Sequence, residues 1–371
     1  MSVIVVAPDS FKGSASAAEV AAALAGGWAA ERPGDRVVRA PMADGGEGTL
    51  DAFEAAIAGA VRHPVRVLGP DDAEVDAEVD ASWLMLPDGT AVVELAETSG
   101  LGRMPRLAPF AAHTVGFGQA IADALDAGAR SLLLAIGGSA STDGGAGALT
   151  ALGARFVDAD GRDIPRGNLG LASVVRADLG GLAALPPGGA RILGDVTSPL
   201  LGPLGAAAVF GPQKGATERD VPVLEEGLRR LAEALGAAGA ETDPAEPGAG
   251  AAGGTGFGLL VWGARMAPGA AAVGDALGLP STIAEADAVI TGEGRFDSQS
   301  ASGKVPTYVA GLAHGAGASV LLAAGSIQAP TTGFADAVAL ADLAGSADAA
   351  IADPDRWARA AGAALARRFR P

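Results

Sequence analysis

Residues 1–30, MSVIVVAPDSFKGSASAAEVAAALAGGWAA, carry the chain from one apolar run through a polar, glycine-containing loop into an alanine-rich stretch. Val3–Ala7 reads as a buried strand, because β-branched residues without polar alternation suit a sheet covered on both faces. Ala17–Ala30 reads as a helix, and between them APDSFKGSASA is a strand-to-helix loop in which Asp9, Ser10 and Ser14 can cap the helix. A second round follows, with a strand at Arg36–Arg39 and a helix at Gly48–Ala58 entered through DGGEG. The last eighty residues repeat this grammar: strand Ala288–Thr291, helix Pro306–Ala313, strands Val320–Ala323 and Ala337–Ala339, and a terminal helix near Pro354–Arg368. Two runs of βα units at opposite ends of the chain point to one parallel sheet, with its chemistry in the loops at the strand ends.

The pattern changes between those ends. Val65–Leu68, Glu74–Leu86 and Ala91–Glu94 are separated by GPDD and PDG turns and read as antiparallel strands, with Gly89 supplying a positive φ. A helix at Gly116–Ala127 and a buried strand at Leu132–Ile136 follow, which suggests a second α/β domain inserted into the first. The Pro/Gly/Ala-rich stretch Gly236–Gly258 reads as either a linker or a working loop. A length of 371 residues with 49% hydrophobic content supports two cores, since single cores rarely grow beyond about 250 to 300 residues. With only 4% aromatic residues those cores must be built from Ala, Val, Leu and Ile.

Composition also removes whole classes of function. A net charge of −17 argues against nucleic acid or an anionic membrane as partner, so any bound anion must be held by local groups. Without cysteine there is no disulfide, thiolate metal site or cysteine nucleophile. The opening MSVIVVAPDS lacks a basic segment and reads as a strand, not a signal peptide, and no apolar run is long enough to span a bilayer, so a cytoplasmic protein is expected. His63, His113 and His314 lie scattered without partners at ligand spacing, and no Ser-His-Asp arrangement is legible.

Lysine is rare here and strategically placed. Of 26 basic residues only Lys12, Lys214 and Lys304 are lysine, and each adjoins a glycine. An ammonium is a compact point charge suited to a phosphate cradle, where a guanidinium is a wide planar fork. Lys12 sits beside Gly13, whose freedom lets backbone amides approach an anion. In PMADGGEGT, Gly45 and Gly46 place Asp44 and Glu47 in a tight turn facing a ligand or metal, or else Glu47 merely favours a helix start. Gly137, Gly138 and Ser139 offer amides after a buried strand, and Asp143 with Gly144 forms a second carboxylate turn before a helix. Asp195 ends another apolar strand, and GPQKGAT brings Gln213 and Lys214 soon after. The densest cluster is TGEGRFDSQSASGKVP, where Glu293, Asp297, Gln299 and Lys304 together fit a magnesium and phosphate site.

DSFKGS, MADGGEGT, GGSASTDGGAG, FGPQKGA, GAGAAGGTGFG and TGEGRFDSQSASGK, in this order over essentially the whole chain, resemble the bacterial glycerate kinase family. The resemblance implies ATP- and Mg²⁺-dependent phosphorylation of D-glycerate to 2-phosphoglycerate in an interdomain cleft. It also implies a flavodoxin-like domain, drawn here at residues 1–64 and 281–371, that holds a mixed-sheet α/β domain, residues 65–280, as an insertion. Two departures from the family pattern are visible: His113–Thr114 replaces paired threonines, and Ser141–Thr142 replaces Thr-Asn before Asp143. Phosphoryl transfer needs one carboxylate for the attacking hydroxyl and another for the metal. We assign Asp195 as base, with Asp44 and Asp143 as alternates, and Asp297 supported by Glu293 to Mg²⁺. Lys12 and Asp44 join the catalytic set, and Asp9, Ser10, Gly13, Ser14, Gly45, Gly46, Glu47, Gly137, Gly138, Ser139, Asp143, Gly144, Gln213, Lys214, Gln299 and Lys304 are expected to bind substrate or phosphate. The chain is expected to act on small molecules as a monomer or homodimer. Two rivals remain open: a non-catalytic sensor of a phosphorylated or hydroxy acid, and a dehydrogenase, which the absence of a G-x-G-x-x-G fingerprint from the loop after the first strand disfavours.

Overall fold

Val3–Pro8 lies inside a five-stranded, wholly parallel sheet, hydrogen-bonded on one side to Arg36–Arg39 and on the other to Ala288–Gly292, with Ile4 opposite Ala288. The structure, a computed structural model, describes residues 1–71, 77–298, 300 and 304–370. It divides into two compact units, one of residues 1–44, 51–58 and 268–371, the other of residues 45–50 and 59–267.

In the first unit the sheet continues from Ala288–Gly292 to Ser319–Ala324 and Asp336–Ala339. Numbered by order within the unit, the strands run 2-1-3-4-5. Side chains alternate between faces, so Ile4, Val6, Ala288 and Ile290 face the helices Ala17–Glu31 and Pro354–Arg368, and Val5 and Val289 are equally buried opposite them. Burial on both faces is why these strands are continuous apolar runs. The two helices pack without room for side chains at their crossing: a Cβ on Gly362 would stand 2.1 Å from the Leu24 carbonyl oxygen.

The helix Ala17–Glu31 corrects one expectation. Its cap is Ser16, in a reciprocal box with Glu19, and not Asp9, Ser10 or Ser14. Phe11 and Ala15 exchange backbone hydrogen bonds of 2.8 and 3.0 Å, and Ser14 Oγ donates to the Phe11 carbonyl at 2.9 Å. This tight turn delays the helix and leaves Asp9 and Ser10 out of it.

The second unit holds a six-stranded mixed sheet in the order Arg265–Ala267, Ala190–Leu193, Ser131–Ala135, Thr90–Glu94, Glu78–Met85 and Val61–Leu68. The first four are parallel; the last two join as antiparallel strands, and Gly89 takes the expected positive φ of 86°. The expected strand Glu74–Leu86 is Glu78–Met85, and Glu74–Asp76 fall outside the described residues. Trp83, Phe117, Leu134, Leu149 and Leu228 are among the side chains that fill this core. The stretch Gly236–Gly258 is packed in its second half, where Ala249 and Ala251 are buried and a helix, Thr255–Val261, begins. No helix among the described residues is long and apolar enough to cross a membrane.

Candidate active site

All five parallel strands of the first unit send the segment after their carboxyl end to one cavity of about 390 Å³. Asp44 comes from beyond Arg36–Arg39, and Asp9, Ser10, Lys12 and Ser14 follow Val3–Pro8. Glu293, Arg295 and Asp297 follow Ala288–Gly292, Gly325 and Ser326 follow Ser319–Ala324, and Leu340 follows Asp336–Ala339. The charged groups gather beside Val3–Pro8 and Ala288–Gly292, where the strand order reverses and open α/β sheets bind ligands.

Carboxylates are crowded there. Asp9 is buried, and its carboxyl is pushed up to about 8, first by burial and then by the neighbouring Asp44; Lys12 and the Ser10 amide, which donates to Asp9 at 2.6 Å, oppose the shift. Glu293 is also raised by burial, against the pull of Ser300 and of Lys304, whose ammonium is 3.6 Å from its carboxylate. Asp297 pairs with the Arg295 guanidinium at 3.1 Å. Ser10 Oγ and Glu293 Oε1 are buried without a hydrogen-bond partner among the described residues. Orphaned oxygens and carboxyls held against ionisation are what a hard cation with phosphate ligands would satisfy. No group of three or more acidic or histidine side chains at metal spacing occurs among the described residues. Mg²⁺ does not require one, because it keeps waters and takes only one or two protein carboxylates beside phosphate oxygens. The residues present therefore fit Mg²⁺ bound with a nucleotide. Gly13 has a left-handed φ of 78° in the Lys12 turn, and Gln299 lies outside the described residues.

The second unit gathers the other motifs into a buried loop cluster. Asp143 is wholly inaccessible; it accepts from the Thr114 amide at 2.9 Å, the Thr114 hydroxyl at 2.8 Å, and the Gly145 and Gly147 amides at 3.1 and 3.2 Å. It thus organises the turn between Ser131–Ala135 and the helix Ala146–Ala151. Lys214 is buried beside it and donates to the Ser141 carbonyl, with Ser139 Oγ at 3.4 Å. Burial pulls its ammonium down to about 7, against the favourable charge of Asp143. Ser139 Oγ donates in turn to the carbonyl of Ala252 at 3.1 Å, and Ala252 is the one non-glycine among the described residues with a positive φ, 55°. Gly137 meets the 45–46 turn so closely that a Cβ would lie 2.5 Å from the Gly46 Cα, and its amide donates to the Gly45 carbonyl. Gly138, Glu47 and Gln213 are exposed, Gly144 is buried, and Asp195 stands half-buried two residues beyond Ala190–Leu193.

Sequence reasoning missed Glu94. Its carboxylate is buried and accepts from the Gly48 and Leu50 amides, both at 3.0 Å, which fixes the turn of the MADGGEGT motif. An acid closing an apolar strand, VVELAE, is the signal that drew attention to Asp195 and applies here too. Asn168, the only asparagine, donates to the Thr142 and Leu224 carbonyls at 2.8 and 2.9 Å and ties the same loop to a helix.

Residues 4–370 match the glycerate kinase family. The chain is 44% identical over 315 residues to the glycerate 2-kinase of Escherichia coli K12, covering 84% of this chain and 81% of that protein. It is 43% identical over 334 residues to the glycerate kinase of Bacillus subtilis 168, covering 88% and 85%. A crystal structure described as glycerate kinase 2 from Salmonella typhimurium LT2 superposes with a TM-score of 0.83 at 39% identity, covering 99% of this chain and 97% of that one. Matched from its first strand to its last helix, the chain belongs to the glycerate kinase family.

Proposed function

We propose that this protein transfers the γ-phosphoryl group of ATP to glycerate, forming 2-phosphoglycerate. The observation that carries the reading is the cavity at the sheet's switch point, where Lys12 and Lys304 meet the carboxylates of Asp9, Asp44, Glu293 and Asp297, in a chain that belongs to this family throughout. The 2-1-3-4-5 order of the parallel sheet supports a flavodoxin-like assignment for the first unit.

Phosphoryl transfer asks a protein mainly to position groups and neutralise charge. Lys12 and Lys304 hold phosphate oxygens, and the Ser10 hydroxyl donates to one of them. Glu293 and Asp297 would hold Mg²⁺, with Asp44 and Asp9 lining the same cavity. Mg²⁺ bound there would supply neutralisation of phosphate charge. Asp195 accepts the proton of the C2 hydroxyl as that oxygen attacks phosphorus. Asp143, Lys214 and Glu94 act through the loops they hold, presenting the Gly137–Ser139 and 45–47 turns to the acid. A cytoplasmic setting agrees with the absence of cysteine and of a membrane-crossing helix among the described residues.

An ADP-release assay with glycerate and a panel of small hydroxy acids, followed by phosphorus NMR of the product, tests the reading. Turnover with glycerate and a product phosphorus coupled to the single C2 proton is expected. A product coupled to the two C3 protons, or turnover only with another acid, refutes it.

A further inference from the structure

The cavity of the first unit has two chemically different ends. Around the strands Val3–Pro8 and Ala288–Gly292 it is lined by Asp9, Lys12, Asp44, Glu293 and Lys304. Past the sheet's edge strand Asp336–Ala339 it is lined by Leu340, Ala347, Ala350 and Ile351, all aliphatic. The last three belong to the short helix Ala347–Ala352, and Ile351 is 59% exposed to solvent.

Glycerate is a three-carbon acid with oxygen on every carbon, and it has no use for an aliphatic wall. A nucleoside triphosphate needs both ends: cations and a metal for its phosphates, and an apolar face for its base. The spacing agrees as well. Neighbouring strands lie about 4.8 Å apart, so the two steps from Ala288–Gly292 to Asp336–Ala339 separate the charged end from Leu340 by roughly 10 Å, within the span of a ribose and polyphosphate. Resting on the kinase reading, we infer that this cavity is the nucleotide site, with the phosphates between Lys12 and Lys304 and the base against the aliphatic face of the helix Ala347–Ala352 under Ile351. The aliphatic side chains there give contact area without side-chain donors or acceptors, and Ile351, exposed in the free protein, loses its contact with water when the base covers it.

The test uses Ile351→Asn, a neutral change at an exposed position, with Ile351→Leu as the conservative control. Isothermal titration calorimetry measures MgADP and magnesium tripolyphosphate, which has phosphates but no base; steady-state kinetics gives the KM for ATP and for glycerate. Ile351→Asn should weaken MgADP and raise the KM for ATP about tenfold, leaving tripolyphosphate affinity and the KM for glycerate within twofold; Ile351→Leu should restore MgADP affinity. Unchanged MgADP affinity in Ile351→Asn overturns the inference, as does an equal loss of tripolyphosphate affinity or a raised KM for glycerate alone. These failures are separable from failure of the kinase reading. A wild-type protein that leaves glycerate unphosphorylated yet binds MgADP in an Ile351-dependent way upholds the nucleotide site and refutes only the substrate.

Discussion

Replacing Lys214 by methionine removes a buried amine whose cost depends on pH in a calculable way. Its folded pKa is about 7 and its ordinary value 10.5. Below pH 7 both the folded and unfolded chains carry the proton, and folding bears the full burden of an ammonium sealed from water. Between pH 7 and 10.5 the unfolded chain holds more protons, so the wild type becomes more stable as pH rises. A separation of roughly 3.5 units corresponds to about 5 kcal/mol, most of which is recovered between pH 6 and pH 10. Methionine has similar length and no charge, but leaves the Ser141 carbonyl without its donor, a loss of about 1 to 2 kcal/mol at any pH. Lys214→Met should therefore be more stable than the wild type at pH 6 and less stable at pH 10. The difference between the two proteins should change by about 3 to 4 kcal/mol and reverse sign between about pH 9 and pH 10. Urea denaturation of both, followed by tryptophan fluorescence at unit pH steps, measures the difference directly and cancels every titrating group they share. A stability difference that stays flat from pH 6 to pH 10 would refute the claim that burial depresses this lysine.

Lys12→Ala should fold normally, since Lys12 is exposed, and lose about tenfold to a thousandfold in kcat/KM, the range for removing one charged contact in phosphoryl transfer; wild-type turnover would take Lys12 out of the mechanism. Asp195→Asn should bind MgADP and glycerate with near-normal affinity while kcat falls at least about a hundredfold, whereas Asp297→Asn should chiefly raise the Mg²⁺ concentration needed for half-maximal rate; the opposite pattern in a Mg²⁺ titration would exchange the two roles. Gly362→Ala places a methyl carbon 2.1 Å from the Leu24 carbonyl oxygen, which forces the helices Ala17–Glu31 and Pro354–Arg368 apart. A loss of about 1 to 3 kcal/mol, seen as a lowered Tm by circular dichroism, is expected, and an unchanged Tm would mean that the crossing is loose.

How far the sequence could be read depended on the range of the interaction. The parallel strands were legible because burial on both faces leaves an unbroken apolar run, and the Pro354–Arg368 helix because Asp353 and proline mark its start and basic residues its end. The cap of the first helix was misplaced because Asp9, Ser10, Ser14 and Ser16 are all capable caps. Only the Phe11–Ala15 turn, a local backbone preference that no residue type announces, selects Ser16. Polar residues at strand ends could be singled out as candidates, since a polar group closing an apolar run is visible in one dimension. Which of them organise loops could not. Asp143 and Asp44 look alike in DGG contexts, yet one has its oxygens occupied by Thr114 and two glycine amides and the other lines a cavity. That difference arises from Thr114, 29 residues upstream, and from the fold that brings it there.

The parallel sheet also sets the order in which this chain can become protein. Val3–Pro8 is made first, but its partner Ala288–Gly292 is pulled in from 284 residues later, as the Thr291 hydroxyl bonded to the Ala7 carbonyl illustrates. During synthesis the second unit is complete in sequence by residue 267, and it can fold on the ribosome while the first still lacks three of its five strands. Throughout that interval VIVVA has only Arg36–Arg39 to pair with, and its other edge is an adhesive apolar ribbon of the kind chaperones shield. A message truncated after the second unit would thus yield a protein with one finished half and one permanently aggregation-prone end.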